Sequence, residues 1–316
     1  MRSSDSLIVI SGATGWVGRN ILEILQKKIP NKDFNANVKC LASKKQFINS
    51  TGYVNNSQIE IPIEDFKSFP EICKNVRKLF LIHTAFLTPH HLNLINYNDY
   101  CLKNIAITKT IREGILICKD SRVVLVSSGI AREFDESYKE EVTYNDVLKN
   151  PYGYLKKKEE IEISKITNTL ILRIFSLSGK FIREPSIYAF PNFILKALRK
   201  EKIEFHDNRL VYRSYGHAKN IAQLACQWLL TKQKKFISPL NTVSETIDLF
   251  SLARVISQQF DLPIVKLNRD SQYNDSSYTS NNTDFLNALK EYRIPASSLK
   301  DQIIETAIYL EKNYIK

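Results

Sequence analysis

Tyr152 and Lys156 stand four residues apart in the segment Pro151-Tyr152-Gly153-Tyr154-Leu155-Lys156, so a helix there would put both on one face. Tyr154 and Lys158 repeat that spacing, and the residues alone leave the register open between the two pairs. Upstream, Ser127 and Ser128 close the apolar run Val123–Val126. These types make a proton-transfer set. An ammonium lowers the pKa of a nearby phenol, the phenol exchanges a proton with a substrate oxygen, and a serine hydroxyl hydrogen-bonds that oxygen.

A second pattern concerns phosphate. Gly12-Ala13-Thr14-Gly15-Trp16-Val17-Gly18 holds three of the nine glycines of the chain in a GxxGxxG arrangement. The first glycine permits a tight turn, the second lets backbone approach a pyrophosphate, and the third lets a helix pack closely on a strand. The free N–H groups and dipole of the helix start then face the phosphates. Gly12, Thr14, Gly15, Trp16, Val17 and Gly18 are the residues expected against a dinucleotide; the plain alternative is a glycine-rich turn. Ribose selection belongs to the end of the second strand. Sites that prefer NAD carry an Asp or Glu there, whereas this chain has Ala42-Ser43-Lys44-Lys45. Ser43 and Lys44 suit a 2′-phosphate, which favours NADP(H) over NAD(H), against the alternative that the lysines are only solvated loop residues.

The elements that must position these groups follow from the apolar pattern. Leu7–Ile10, Val38–Ala42, Leu79–Ile82, Val123–Val126 and Thr169–Leu172 read as buried strands. Between them lie helical stretches: Asn20–Leu25 directly after the glycine loop, and Asn98–Cys118, where Ile105, Thr108, Ile111 and Ile115 are expected to share a face. Strands alternating with helices predict an α/β, doubly wound parallel sheet. After Phe175 the pattern changes to irregular chain marked by Gly179, Pro185 and Pro191. Shorter helices follow at Phe193–Arg199 and Asn220–Leu230, then a polar stretch, Asp270–Thr283, that reads as a surface loop. The expected organisation is a dinucleotide-binding domain over residues 1–175 and a smaller domain over 176–316, with some chain returning to the sheet.

Of the 316 residues, 25% are charged and 43% hydrophobic, which excludes a disordered or collagen-like chain. The unusual quantity is charge: 45 Lys and Arg against 33 Asp and Glu give +12. The densest basic runs, Lys156–Lys158 and Lys232–Lys235, carry no interleaved aromatics, so no nucleic-acid partner is expected. Cys40, Cys73, Cys101, Cys118 and Cys226 are scattered and form no CxxC, which points to a reducing cytoplasmic setting without disulfides or zinc. His83, His90 and His91 lack a suitably spaced third ligand, so no metal is expected. The apolar start is too short for a signal peptide, and the longest apolar stretch, Leu79–Leu87, falls short of the about 20 residues of a membrane span.

At this point the sequence resembles the extended short-chain dehydrogenase/reductase family, in particular its NAD(P)-dependent nucleotide-sugar epimerases, dehydratases and reductases. The likeness runs over nearly the whole chain. It is carried by Gly12, Gly15 and Gly18; by His83-Thr84-Ala85-Phe86 after a strand; by Asn104; and by Pro151-Tyr152-Gly153-x-x-Lys156 followed by Glu160. Leu155 stands where a small Ser is usual. The resemblance implies a Rossmann-type fold with a smaller C-terminal substrate-binding domain, and settles the register on Tyr152 and Lys156. It places the catalytic hydroxyl on Ser128 with Ser127 beside it, and puts His83 and Ala85 on the cofactor side. Leu172-Arg173-x-x-Ser176-x-x-Gly179 resembles the segment beside nicotinamide and substrate, with Ser176 where an Asn commonly meets the sugar nucleotide. Arg213, in Arg213-Ser214-Tyr215-Gly216-His217, matches an Arg that pairs with the substrate diphosphate. The implied partner is a nucleotide-diphosphate sugar, and the implied assembly is a homodimer through Asn98–Cys118 and Tyr152–Thr167.

Sugar dehydratases of the family follow the catalytic hydroxyl with Asp-Glu, whereas Ser128 is followed by Gly129-Ile130, with Glu133 and Asp135 the nearest acids. Two readings remain: 4-keto reduction, which NADPH would suit, and epimerisation with retained NAD. Polysaccharide precursor synthesis is the pathway the resemblance implies. A non-catalytic NAD(P) sensor is the alternative from another class, and the presence of Tyr152 and Lys156 weighs against it.

Overall fold

In the computed structural model the described residues are 6–51, 58–136, 144–205, 210–231, 238–266 and 275–315; the Lys232–Lys235 run and the Asp270–Asn274 part of the expected loop lie outside them. The chain divides into two compact units, residues 1–173 with 225–240, and residues 174–224 with 241–316.

The first unit is built on strands β1 (Ser6–Ser11), β2 (Val38–Ala42), β3 (Gln46–Thr51), β4 (Gln58–Asp65), β5 (Lys78–His83), β6 (Asp120–Ser128) and β7 (Asn168–Ile174). With β11 (Leu240–Asn241) they form an eight-stranded sheet in the order β11-β7-β6-β5-β1-β2-β4-β3. The pairs β1–β2, β1–β5, β2–β4 and β5–β6 are parallel, as the apolar runs predict, and β3 turns back antiparallel on β4. Helices α1 (Trp16–Gln26), α2 (Asn31–Asn37), α3 (Phe69–Cys73), α4 (Tyr97–Ile117), α5 (Tyr144–Lys149) and α6 (Pro151–Ser164) connect the strands. Strand order reverses between β1 and β5, so Ser11 and His83 end side by side where ligands bind in such sheets. The core joins Leu7, Val9, Leu79, Leu81, Val123 and Leu125 of the sheet to Phe69, Ile111 and Ile115 of the helices.

Two expectations change here. Ile105 is 40% exposed, and the buried face of α4 runs through Tyr100, Asn104, Thr108, Ile111 and Ile115. Ile105 lies one residue, a rotation of about 100°, off that stripe, so a buried Asn replaces it at the helical spacing. The start of α6 is sharply set: Pro151 occupies the first helical position, and Asn150 Oδ1 accepts from Gly153 N at 2.9 Å. Its last residue is Ser164 rather than Thr167.

In the second unit, β10 (Val211–His217) pairs with β8 (Ser176–Ser178), β12 (Glu245–Asp248) and β14 (Ser276–Tyr278), and β9 (Ile203–Phe205) pairs with β13 (Ile264–Lys266). Helices α7 (Ala189–Leu198), α9 (Leu249–Phe260), α10 (Thr283–Glu291) and α11 (Leu299–Tyr314) belong to this unit, and α8 (Ala218–Leu230) begins in it and ends in the first. Strand β14 falls inside the stretch expected as a loop. Its residues are polar, but backbone pairing needs no apolar side chain, and Ser276 N donates to Leu210 O at 2.9 Å.

Candidate active site

The glycine loop shows why its glycines are needed. Gly12 has φ +76°, and a Cβ on it would lie 2.5 Å from Thr84 Oγ1 and 2.8 Å from Ala85 N. A Cβ on Gly18 would fall 2.1 Å from Gly12 O, so α1 can press against the loop only without a side chain there. At Gly15 the nearest atom, Gly12 O, is 3.3 Å away, which leaves this side of the loop open. Gly15 is the N-cap of α1 and makes no side-chain bond there. An open cradle beside a helix start fits a pyrophosphate. Val17 is buried under the loop, whereas Thr14, Gly15 and Trp16 are half-buried. Ser43 and Lys44 are exposed just beyond β2.

Helix α6 buries an ammonium and two carboxylates. Lys156 Nζ donates to Val126 O at 3.0 Å and to Glu159 Oε2 at 2.9 Å, and sits 3.8 Å from the centre of the Phe86 ring. The Tyr152 ring meets the same Phe86 edge-on at 5.9 Å. Tyr154 instead packs on Phe134, and Lys158 reaches Glu162 at 3.9 Å, so the second Tyr/Lys pair is spent on other partners. The far oxygen of Glu159 lies 3.0 Å from His83 Nε2, and His83 Nδ1 bonds Ser11 Oγ at the end of β1. Burial pushes the Glu159 carboxyl up, but Lys156 and then His83 outweigh it and hold it below the ordinary carboxylate range.

Glu160, the next residue, serves a second network. Arg173 on β7 grips it through two bonds, reaches Asp135 through two more, and Ser127 Oγ donates to Glu160 Oε1 at 2.6 Å. Lys157 also pairs with Asp135. Burial raises the Asp135 carboxyl less than Arg173 and Lys157 lower it, leaving it below its ordinary value. The run Lys156–Lys158 is therefore met by carboxylates along its whole length.

The other expected site residues have these surroundings. His83 is fully buried, with Nδ1 bonded to Ser11 Oγ and Nε2 to Glu159, the carboxylate that also meets Lys156. Ser127 is committed to Glu160, and Ser128 is the buried last residue of β6. The Ala85 backbone lies close to Gly12. Asp135 is held by Arg173 and Lys157, and Glu133 accepts from Asn150 Nδ2 at 2.8 Å, so neither nearby acid is unattached. In the second unit Ser176 pairs along β10, while Arg213 donates to Tyr212 O at 2.8 Å and lies 3.4 Å from Ser276 Oγ. Sequence reasoning gave Glu159 no role, although its place three residues after Lys156 on a helix was a usable signal.

All five cysteines are free thiols, and among the described residues no His, Cys, Asp and Glu cluster could hold a metal. No helix among the described residues is long and apolar enough to cross a membrane.

The model of the NAD dependent epimerase/dehydratase family matches residues 8–238. No curated protein sequence matches the chain. Among solved structures, the UDP-N-acetylglucosamine 4-epimerase of Methanobrevibacter ruminantium, in complex with UDP-N-acetylmuramic acid, is similar with a TM-score of 0.70 and 18% identity, over 98% of this chain and 99% of that one. The UDP-glucuronic acid 4-epimerase of Bacillus cereus, in complex with UDP-glucuronic acid and NAD, gives 0.66 and 18% over 97% and 99%. An NAD dependent NDP-hexosamine 5,6-dehydratase of tunicamycin biosynthesis gives 0.68 and 12% over 99% of each chain. At these identities the likeness establishes the fold.

Proposed function

The chain belongs to the NAD dependent epimerase/dehydratase family, and we propose that it moves a hydride at a carbon of a nucleotide-diphosphate sugar, with Tyr152 as acid and base. The observation that carries this reading is the Tyr152–Phe86–Lys156 cluster, in which a buried, fixed ammonium and a tyrosine ring of α6 meet the same phenylalanine. Gly12, Thr14, Gly15, Trp16 and Gly18 would hold the dinucleotide, which supplies a nicotinamide able to take up and return a hydride. Tyr152 then exchanges the proton of the reacting sugar oxygen, Ser128 hydrogen-bonds that oxygen, and Lys156 favours the ionised phenol. Ser176 and Arg213 are assigned to the sugar diphosphate on the strength of the family likeness.

The net reaction we favour is reduction of a 4-keto sugar by NADPH. It rests on the exposed Ser43 and Lys44 after β2, where no carboxylate follows in the strand's last turn. Epimerisation with retained NAD is the second reading, supported by the likeness to two 4-epimerases. The deciding experiment identifies the dinucleotide that copurifies, then supplies NADPH with a UDP-4-keto sugar, and separately UDP-glucose with NAD. NADPH consumption supports reduction; interconversion of sugar isomers without net cofactor change replaces it with epimerisation. We also assign α4 and α6 to a homodimer contact, because Leu102, Ile105 and Leu116 expose apolar surface along α4. Light scattering at the monomer mass would remove that assignment.

A further inference from the structure

We propose that Glu159 is a positioning residue acting through Lys156: it fixes the ammonium and offsets part of its charge, and so sets the pH range in which Tyr152 exchanges a proton. This inference rests on the assignment of Tyr152 and Lys156 above.

Lys156 is 3% exposed and Glu159 fully buried. Two of the three ammonium protons are directed at Val126 O and Glu159 Oε2, which leaves one to point elsewhere. A buried ammonium without an anion is costly, so the carboxylate holds Lys156 in one place. The same carboxylate is a negative charge close behind the positive one. A phenol near Lys156 experiences the difference between them rather than a bare cation.

The surroundings of the pair contain few other charges. From β5 comes His83, bonded in turn to Ser11 of β1; from α4 comes the Thr108 hydroxyl, 3.4 Å from Glu159 Oε1; from β6 comes the Val126 carbonyl. On α6 itself the titratable neighbours are Tyr152, Lys156 and Glu160. Glu160 faces Arg173, Asp135 and Lys157, and that second network contains both signs. Among the described residues, the Glu159 carboxylate is thus the negative group in direct contact with Lys156.

The test needs no substrate. Phenolate absorbance in the near ultraviolet is titrated in the full-length protein and in Glu159→Gln, each read against its own Tyr152→Phe counterpart so that only Tyr152 remains in the difference. Glu159→Gln keeps the size of the side chain and removes its charge, and the Tyr152 midpoint should fall by about one pH unit, a tenfold change in its ionisation constant. Glu159→Asp keeps the charge and should titrate close to the parent even where packing is loosened. A midpoint that stays or rises in Glu159→Gln overturns the proposal. If Glu159→Gln does not fold, Lys156→Met with Glu159→Gln decides: a folded double variant supports charge coupling, whereas loss of folding in both backgrounds makes Glu159 purely structural. Failure of the underlying assignment gives a different result, namely a Tyr152→Phe protein that retains full turnover.

Discussion

Arg173 holds both carboxylate oxygens of Glu160, with Nε 2.8 Å from Oε1 and Nη2 2.6 Å from Oε2. Both side chains are almost fully buried. Arg173→Met strands Glu160 with only the Ser127 hydroxyl and a distant Lys157 ammonium at 3.9 Å. Glu160→Gln leaves Arg173 its two bonds to Asp135. Urea denaturation should therefore show a loss of about 3–5 kcal/mol for Arg173→Met and a clearly smaller one for Glu160→Gln. Equal losses would mean that Asp135 contributes nothing to holding the guanidinium.

The acid limb of stability follows from Glu159 and Asp135, both held below their ordinary values of 4.5 and 3.8. A carboxyl depressed in the folded state binds fewer protons there than in the unfolded chain. Its contribution is complete above the unfolded value and is lost as pH falls toward the folded one. The urea midpoint should hold level on this account above about pH 5 and decline below it. Glu159→Gln should flatten part of that decline. Asp135 is 40% exposed, so solvent screens its share and Asp135→Asn should flatten it less.

Much of the first unit could be read in the sequence because its strands are buried on both faces. The apolar runs of β1, β2, β5, β6 and β7 identify themselves. Strand β4 shows what conceals such a signal. Ile59, Ile61 and Ile63 alternate as a strand should, but Pro62 argues against an inner strand; it is accommodated because pairing of β4 with β2 begins only at Ile63. Helix α6 is harder still to read. Its buried face carries Lys156, Glu159 and Glu160, three residues that hydropathy assigns to water. Their partners are remote in sequence, His83 on β5 and Arg173 on β7, so the motif located Tyr152 and Lys156 but not the groups that hold them. Nor does the sequence pattern show that Ser127 is bonded to Glu160, since the direction a strand residue faces depends on register.

The two later glycines of the loop should respond differently to a methyl group. Gly18→Ala drives Cβ to 2.1 Å from the Gly12 carbonyl oxygen, where both partners are backbone and neither can rotate away. A destabilisation of about 1–3 kcal/mol is expected, seen as a lower melting temperature without ligand. Gly15→Ala meets that oxygen at 3.3 Å, a tight contact that a shift of a few tenths of an ångström relieves, so its melting temperature should fall less than that of Gly18→Ala. The new methyl would then stand on the open side of the cradle. Titration with NADH or NADPH should show affinity reduced at least tenfold, roughly 1.4 kcal/mol. Unchanged affinity in Gly15→Ala would place the pyrophosphate elsewhere.

Tyr152→Phe removes one hydroxyl and keeps the ring that meets Phe86 edge-on. Turnover should fall by about 10²–10⁴, the usual weight of a positioned acid or base, while dinucleotide affinity stays within a few-fold. Lys156→Met acts differently, because it leaves the fully buried Glu159 carboxylate with His83 and the Thr108 hydroxyl as its remaining partners. It should weaken both turnover and dinucleotide binding, and lower the melting temperature as well. Tyr154→Phe serves as the control for register. Its ring packs on Phe134 and would remain in place, so its turnover should match the parent. Loss of turnover in Tyr154→Phe, with Tyr152→Phe unaffected, would shift the catalytic pair to Tyr154 and Lys158.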